Sequence, residues 1–149
     1  MDFKIDKMSL EDLISIKDIL TTEFDDFWNY EILKSELESN NSYFFVAKNI
    51  SGEIVGFSGI KIILDEADIM NIVVKKDFRN NGIASLLLDY LISYSKSINL
   101  KTITLEVNEI NIPAIKLYEK FDFEKLGIRK KYYNGENDAI IMSKNFKQC

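Results

Sequence analysis

The sequence predicts an α+β fold, with a mixed, mostly antiparallel central sheet of about six to seven strands and helices on both faces. Three observations carry that expectation. Short β-rich runs, "FKIDKM", "SYFFVAKN", "EIVGFSGIKIIL" and "KTITLEV", repeat along the chain. Between them the apolar period switches to 3.6, over Leu10 to Leu20 and again over Ile83 to Ile98. The second of these helices lies between two strands, so it is a crossover, and that strand pair should be parallel with a right-handed connection. At 149 residues the chain suits one domain, residues 1–149, built on one core. No Pro-, Gly- or Ser-rich linker and no internal repeat divides it.

Taken in order, "FKIDKM" alternates as a short strand, and Ser9 with Asp12 forms a capping-box pattern before Leu10, Leu13, Ile14, Ile16, Ile19 and Leu20. "NYEILKSELES" reads as a short helix with Ile32, Leu33 and Leu37 on its inner face. Two β-rich runs flank the turn Asn49-Ile50-Ser51-Gly52, and "EADIMNIVV" follows through Asp65-Glu66, which makes three neighbouring antiparallel strands the simplest arrangement. The polar turn in "FRNNGIASLLLDYL" opens the long helix, with Ala84, Leu87, Leu88, Leu91, Tyr94 and Ile98 at helical spacing. In "KTITLEV", Ile103, Leu105 and Val107 alternate with Thr102, Thr104 and Glu106, so a carboxylate stands among small hydroxyls on the more polar face. Asn111 is an N-cap for a helix to Phe121, with Pro113 in its first turn. "FEKLGIRKKYY", the turn Asn134-Gly135 and "DAIIMSKNF" form a closing hairpin.

Composition removes several chemistries. The single cysteine, Cys149, rules out a disulfide framework, a thiolate cluster and a CxxC redox pair, and points to a reducing compartment. Without histidine there is no Ser-His-Asp or Cys-His mechanism and no usual zinc site, so no metal is expected and any base is a carboxylate, a lysine or a tyrosine. A net charge of −5 argues against a nucleic-acid partner and suits a basic peptide or protein. The lysine-rich "IRKKYY" does not outweigh that balance. The beginning "MDFKIDKMSLEDL" lacks a secretory pattern, and no apolar run reaches the roughly 18 residues of a membrane span. The expectation is a cytoplasmic protein with no membrane partner.

The polar turn has two physical readings. If the preceding strand ends near Lys75 and the helix starts near Gly82, the N–H groups around Asn80, Asn81, Gly82, Ile83 and Ala84 are unpaired donors that attract an anion. Gly82 lets a ligand approach the backbone, and Arg79 can add a charge-assisted bond. The same letters also suit an ordinary capped loop.

A second motif bears on that choice. Arg79, Gly82 and Ala84 in "RNNGIA", followed later by Asn111, Ala114, Leu117, Tyr118 and Phe123 in "NIPAIKLYEKFDF", resemble the two motifs of the GCN5-related N-acetyltransferase (GNAT) superfamily. Within it the chain is most similar to the RimI-like ribosomal-protein alanine N-acetyltransferases, through "LDEADIMNIVV", "LEVNEINIPAIKLYEKFDF" and "IRKKYYNGENDAIIM". The resemblance covers nearly the whole chain. It implies acetyl-CoA as acetyl donor, CoA as product, and the N-terminal alanine of ribosomal protein S18 as acceptor. It also implies that Ile72, Val73 and Val74 pair with the pantetheine arm, that the turn from Arg79 to Ala84 holds the pyrophosphate, and that Asn111 stands beside the cofactor.

Roles carried over in the same way make Glu106 the base that frees the amine and Tyr118 the acid for the leaving thiolate, with an oxyanion donor near Val74. Each has a bland rival. Glu106 could be an exposed strand residue, Tyr118 a core residue, and Glu66 a competing base. Tyr132 and Tyr133 either clamp the acceptor peptide or pack across strands, and Trp28 stands where relatives have a Pro-Trp pair at the acceptor pocket. Asp122 replaces the glycine of the family's Gly-Phe pair, so the chain must turn there on a residue less suited to positive φ. An acetyltransferase for another amine, or a non-catalytic acyl-CoA-binding module of the same fold, fits the same motifs.

Overall fold

The computed structural model describes residues 2–24, 28–133 and 135–146, apart from the Tyr133 side chain. The alternating runs become strands β1 (Lys4–Lys7), β2 (Ser42–Lys48), β3 (Ile54–Ile63), β4 (Glu66–Val74), β5 (Thr102–Asn108), β6 (Glu124–Tyr133) and β7 (Asn137–Asn145). Helices α1 (Leu10–Ser15), α2 (Tyr30–Leu37), α3 (Ile83–Ser97) and α4 (Ile112–Lys120) complete an α+β architecture. The sheet order is β1-β2-β3-β4-β5-β7-β6. As the crossover requires, β4 and β5 are parallel, with Glu66 opposite Thr102 and Asp68 opposite Thr104. The pairs β1–β2, β2–β3, β5–β7 and β6–β7 are antiparallel. The chain divides into two compact units, Met1–Lys61 with Met70–Leu91, and Ile62–Ile69 with Ile92–Cys149.

In the first unit the capping box forms as its spacing predicts: Ser9 Oγ accepts from the Asp12 N–H at 3.0 Å, and Asp12 Oδ2 accepts from the Ser9 N–H at 2.9 Å. The single helix expected from Leu10 to Leu20 is instead α1, a 3-10 turn (Lys17–Ile19) and a π turn (Leu20–Phe24). Ile14, Ile16, Ile19, Thr21 and Thr22 are β-branched and crowd a regular α-helix. Tightening and then widening the winding still buries Leu13, Ile16, Leu20 and Phe24, while Leu10 and Ile14 stay exposed. In α2 the Asn29 cap, whose side chain accepts from Ile32 N–H at 2.8 Å, sets the phase. Tyr30, Leu33 and Leu37 therefore face the core, and Ile32, expected inside, is 51% exposed.

β2 buries both of its faces. Phe44 and Val46 join Leu13, Phe24, Leu33 and Phe57 in one cluster. Ala47, from the other face, packs with Val55, Ile83 and Leu87, against which Ile72 and Val74 also lie. Gly56 makes the close approach of α3 possible, because a Cβ there would stand 2.9 Å from the Val73 carbonyl oxygen and 3.1 Å from Ile83 Cγ2. The beginning of α3 is thus seated directly on β3 and the end of β4.

In the second unit β5 follows its alternation, with Ile103, Leu105 and Val107 buried. α3 ends at Ser97, so Ile98, expected on its buried face, is 40% exposed. α3 and α4 stop by the same device. Leu100 N–H donates to the Ser95 carbonyl and Asn99 N–H to that of Lys96; Phe123 N–H donates to Tyr118 and Asp122 N–H to Glu119. These are Schellman motifs, with Asn99 (φ 63°) and Asp122 (φ 67°) at the left-handed position. Asp122 does turn the chain where a glycine would be cheaper. Its carboxylate is 89% exposed and 3.9 Å from Lys144 Nζ, which contributes little. Asp122→Gly is therefore expected to stabilise the protein by about 0.5–1 kcal/mol, read as a rise of about 1–4 °C in the thermal midpoint. A lowered midpoint would show that the aspartate side chain outweighs its backbone strain.

Candidate active site

The first unit carries the turn between β4 and α3. Lys75 N–H donates to the Val55 carbonyl at 2.8 Å. Because N–H groups alternate edges along a strand, the Val74 N–H lies on the edge away from β3. The Val74 carbonyl on that edge accepts from Arg79 Nε at 3.1 Å. The parallel ladder with β5 ends at Asp68, so among the described residues the β4 backbone over residues 69–74 lies outside it.

The turn that follows is held from within. Asn80 (φ 67°) and Gly82 (φ 76°) both take left-handed conformations, and Asn81 Nδ2 donates to the carbonyls of Phe78 at 3.0 Å and Arg79 at 3.2 Å. Among the described residues, the amides of residues 80–85 meet no backbone carbonyl; the first to do so is Leu86, to Gly82 at 3.1 Å. The first turn of α3 has no acidic residue, and a Cβ on Gly82 would meet nothing within 4 Å. These residues fit a diphosphate, with several N–H donors and the positive end of a 15-residue helix facing open space.

The nearby cations are turned elsewhere. Arg79, expected to aim its charge at a phosphate, spends its planar fork on two carbonyls, Val74 and, at 2.9 Å from Nη2, Phe24. That fork closes the turn. Lys75 Nζ pairs with Glu53 at 2.7 Å and Glu23 at 3.4 Å. The Lys75 bond holds the Glu53 carboxyl below its ordinary range, and the same bond raises the Lys75 ammonium. The donors that this turn leaves without a partner on the backbone are thus its own N–H groups.

The second unit carries the predicted acid and base. Glu106 is partly buried on the Thr102 and Thr104 face of β5, and its Oε1 forms an ion pair with Arg129 Nη2 at 2.7 Å. Sequence reading missed Arg129 altogether. Tyr118 occupies the third position from the end of α4, and its ring lies 5.8 Å from that of Phe123, the apolar contact that accompanies a Schellman motif. Asn111 is the N-cap of α4, with Oδ1 accepting from Ala114 N–H at 3.3 Å. Tyr132 is 48% exposed beside Arg129, and the Tyr133 side chain and Asn134 lie outside the described residues.

Two other expected residues sit apart from that group. Glu66 is exposed and opposite Thr102, four residues before Glu106 along β5, or roughly 13 Å at the usual rise per residue. In the first unit, Trp28 packs edge-on against Phe44, with ring centroids 6.4 Å apart. No helix among the described residues is long and apolar enough to cross a membrane.

An α+β sheet whose parallel strand runs into an amide-lined helix terminus offers a seat for a diphosphate-bearing ligand. The chain belongs to the acetyltransferase (GNAT) family, whose model matches residues 13–123, and is an acyltransferase. It is 34% identical over 137 residues, 91% of this chain and 90% of the other, to a Bacillus subtilis (strain 168) protein provisionally named [ribosomal protein bS18]-alanine N-acetyltransferase. The crystal structure of the ribosomal-protein-S18-alanine N-acetyltransferase from Escherichia coli superposes with a TM-score of 0.89 at 28% identity, covering 99% of this chain and 96% of that one. Arabidopsis thaliana NAA60, solved in complex with acetyl-CoA, shares the fold, with a TM-score of 0.82 at 20% identity over 97% of this chain and 98% of that one.

Proposed function

We propose that the protein is a cytoplasmic, acetyl-CoA-dependent N-α-acetyltransferase of the N-terminal alanine of ribosomal protein S18. The observation that carries this reading is similarity over nearly the whole chain to enzymes named for that reaction. The turn supports the donor half of it. The amides of residues 80–85 would bind the pyrophosphate of acetyl-CoA, with Arg79 shaping the turn, and residues 72–74 would pair with the pantetheine arm along the edge of β4. Acetyl-CoA supplies an acetyl group activated as a thioester.

The residues of the second unit would then manage two protons. A peptide α-amine has an ordinary pKa of about 7.7–8.0, against about 10.4 for lysine, so near neutral pH a single carboxylate suffices to free it. Glu106 takes the amine proton as the nitrogen bonds to the acetyl carbon. The Val74 N–H faces the edge from which it can donate to the oxyanion. As the carbon–sulfur bond breaks, the Tyr118 hydroxyl gives its proton to the departing thiolate. Trp28, Tyr132 and Tyr133 would line the acceptor peptide, and Asn111 the cofactor.

Mass spectrometry of ribosomal proteins from cells with and without the gene tests the acceptor. The S18 N-terminal alanine should carry an acetyl group only when the gene is present. Unmodified S18 in both strains defeats the ribosomal reading, and thiol release from acetyl-CoA with a panel of amines then identifies another acceptor.

A further inference from the structure

Glu106 is not left to orient itself. Its partner Arg129 stands on β6, two strands away in the order β5-β7-β6. The register explains the reach. Glu106 is opposite Ile141, which is opposite Gly127; Ala139, the next residue of that face along β7, is opposite Arg129. Residues directly opposite share a sheet face. On that face Gly127 and Ala139 carry no more than a methyl group beside the arginine arm, and Ile141 stands next to Glu106.

The guanidinium is fixed from its other side as well. Its carbon lies 5.0 Å from the centroid of the Tyr132 ring, within cation–π range. Tyr132 stands in an irregularity of β6 between Arg129 and Tyr133, where Lys131 takes φ 49°. Three bonds pin that irregularity. Lys131 N–H donates to Asp138 Oδ1 at 2.8 Å, Asp138 N–H to Glu109 Oε2 at 2.5 Å, and Glu109 N–H to the Asp138 carbonyl at 3.0 Å.

Stability does not explain this arrangement. The arginine side chain is 56% exposed, and ion pairs of that kind contribute little. We infer that Arg129 is a positioning residue for Glu106: it holds the carboxylate by Oε1 and so leaves Oε2 as the oxygen that receives the proton of the acceptor amine. The inference rests on the proposed role of Glu106 as base. In the step itself the amine N–H bond breaks as the N–C bond forms, and the proton passes to Oε2. Arg129 remains a cation and exchanges nothing. Its planar fork suits that task better than a lysine would.

A double-mutant cycle on the full chain tests the inference, using Arg129→Gln, Glu106→Gln and the pair together. Each is assayed under steady-state conditions over a range of acetyl-CoA concentrations with a saturating peptide bearing the S18 N-terminus, and slow variants are followed for longer times. Arg129→Gln should lower kcat by about 10- to 100-fold while KM for acetyl-CoA stays within about twofold. Its thermal midpoint should move by no more than about 2–4 °C. On the Glu106→Gln background the same change should cost less than about twofold, because its effect runs through the carboxylate. If Glu106→Gln is crippled but Arg129→Gln turns over normally, or loses the same factor in both backgrounds, the inference is overturned and the base assignment stands. Normal turnover by Glu106→Gln removes the base assignment, and the inference with it.

Discussion

Glu106→Gln is expected to lower kcat by about 10²–10⁴-fold, with acetyl-CoA affinity within about twofold of the unaltered protein. Glutamine keeps the size of the side chain and an oxygen that can still lie beside Arg129, so the change removes charge and basicity and little else. Tyr118→Phe complements it. The ring of Tyr118 closes the end of α4 against Phe123, and phenylalanine retains that contact while losing the hydroxyl. A kcat lower by about 10- to 100-fold, with an unchanged thermal midpoint, is the outcome expected of an acid. Thiol release measured with saturating peptide reads both variants, and normal turnover by the two of them would remove the catalytic assignment altogether.

The second large effect is expected at the turn. Gly82→Leu should weaken acetyl-CoA binding by about 10- to 100-fold, the scale of one lost charge-assisted hydrogen bond or more. Two causes have to be separated, since leucine both resists φ 76° and fills the space before the amides. Gly82→Asn separates them, because asparagine tolerates left-handed backbone yet still places a side chain over the donors. It should fold normally and bind acetyl-CoA weakly. Asn80→Gly, which preserves φ 67° and deletes a side chain, should bind about as well as the unaltered protein. Calorimetric titration giving the opposite order would mean that side chains, not backbone N–H groups, hold the anion.

The sequence revealed its elements wherever local chemistry determined them. Ser9 with Asp12, and Asn111, mark helix starts because each cap lies within three residues of its partner. The strict alternation of β5 reflects one buried and one half-open face, which needs no knowledge of neighbours. What stayed hidden depended on partners distant in the chain. That Phe24, 55 residues earlier, takes the Nη2 of Arg79 could not be read from the turn alone. The pairing of Glu106 with Arg129 follows from β7 lying between β5 and β6, and no periodicity encodes that order. The broken first helix was hidden for another reason. Its apolar spacing is helical on average, but its β-branched residues shift the winding from turn to turn.

The position of β7 also bears on how the protein is made. β5 meets β4 over three residue pairs, but it pairs with β7 along its whole length, and Thr102 finds Asn145, 43 positions later. During synthesis the strand bearing Glu106 therefore emerges long before its main partner and waits with an unpaired edge. Contacts this distant in sequence form slowly, and an open edge invites pairing with other chains. A nascent protein stalled after β6 would present such an edge, so competence for catalysis and protection from aggregation should arrive together, when the last strand inserts.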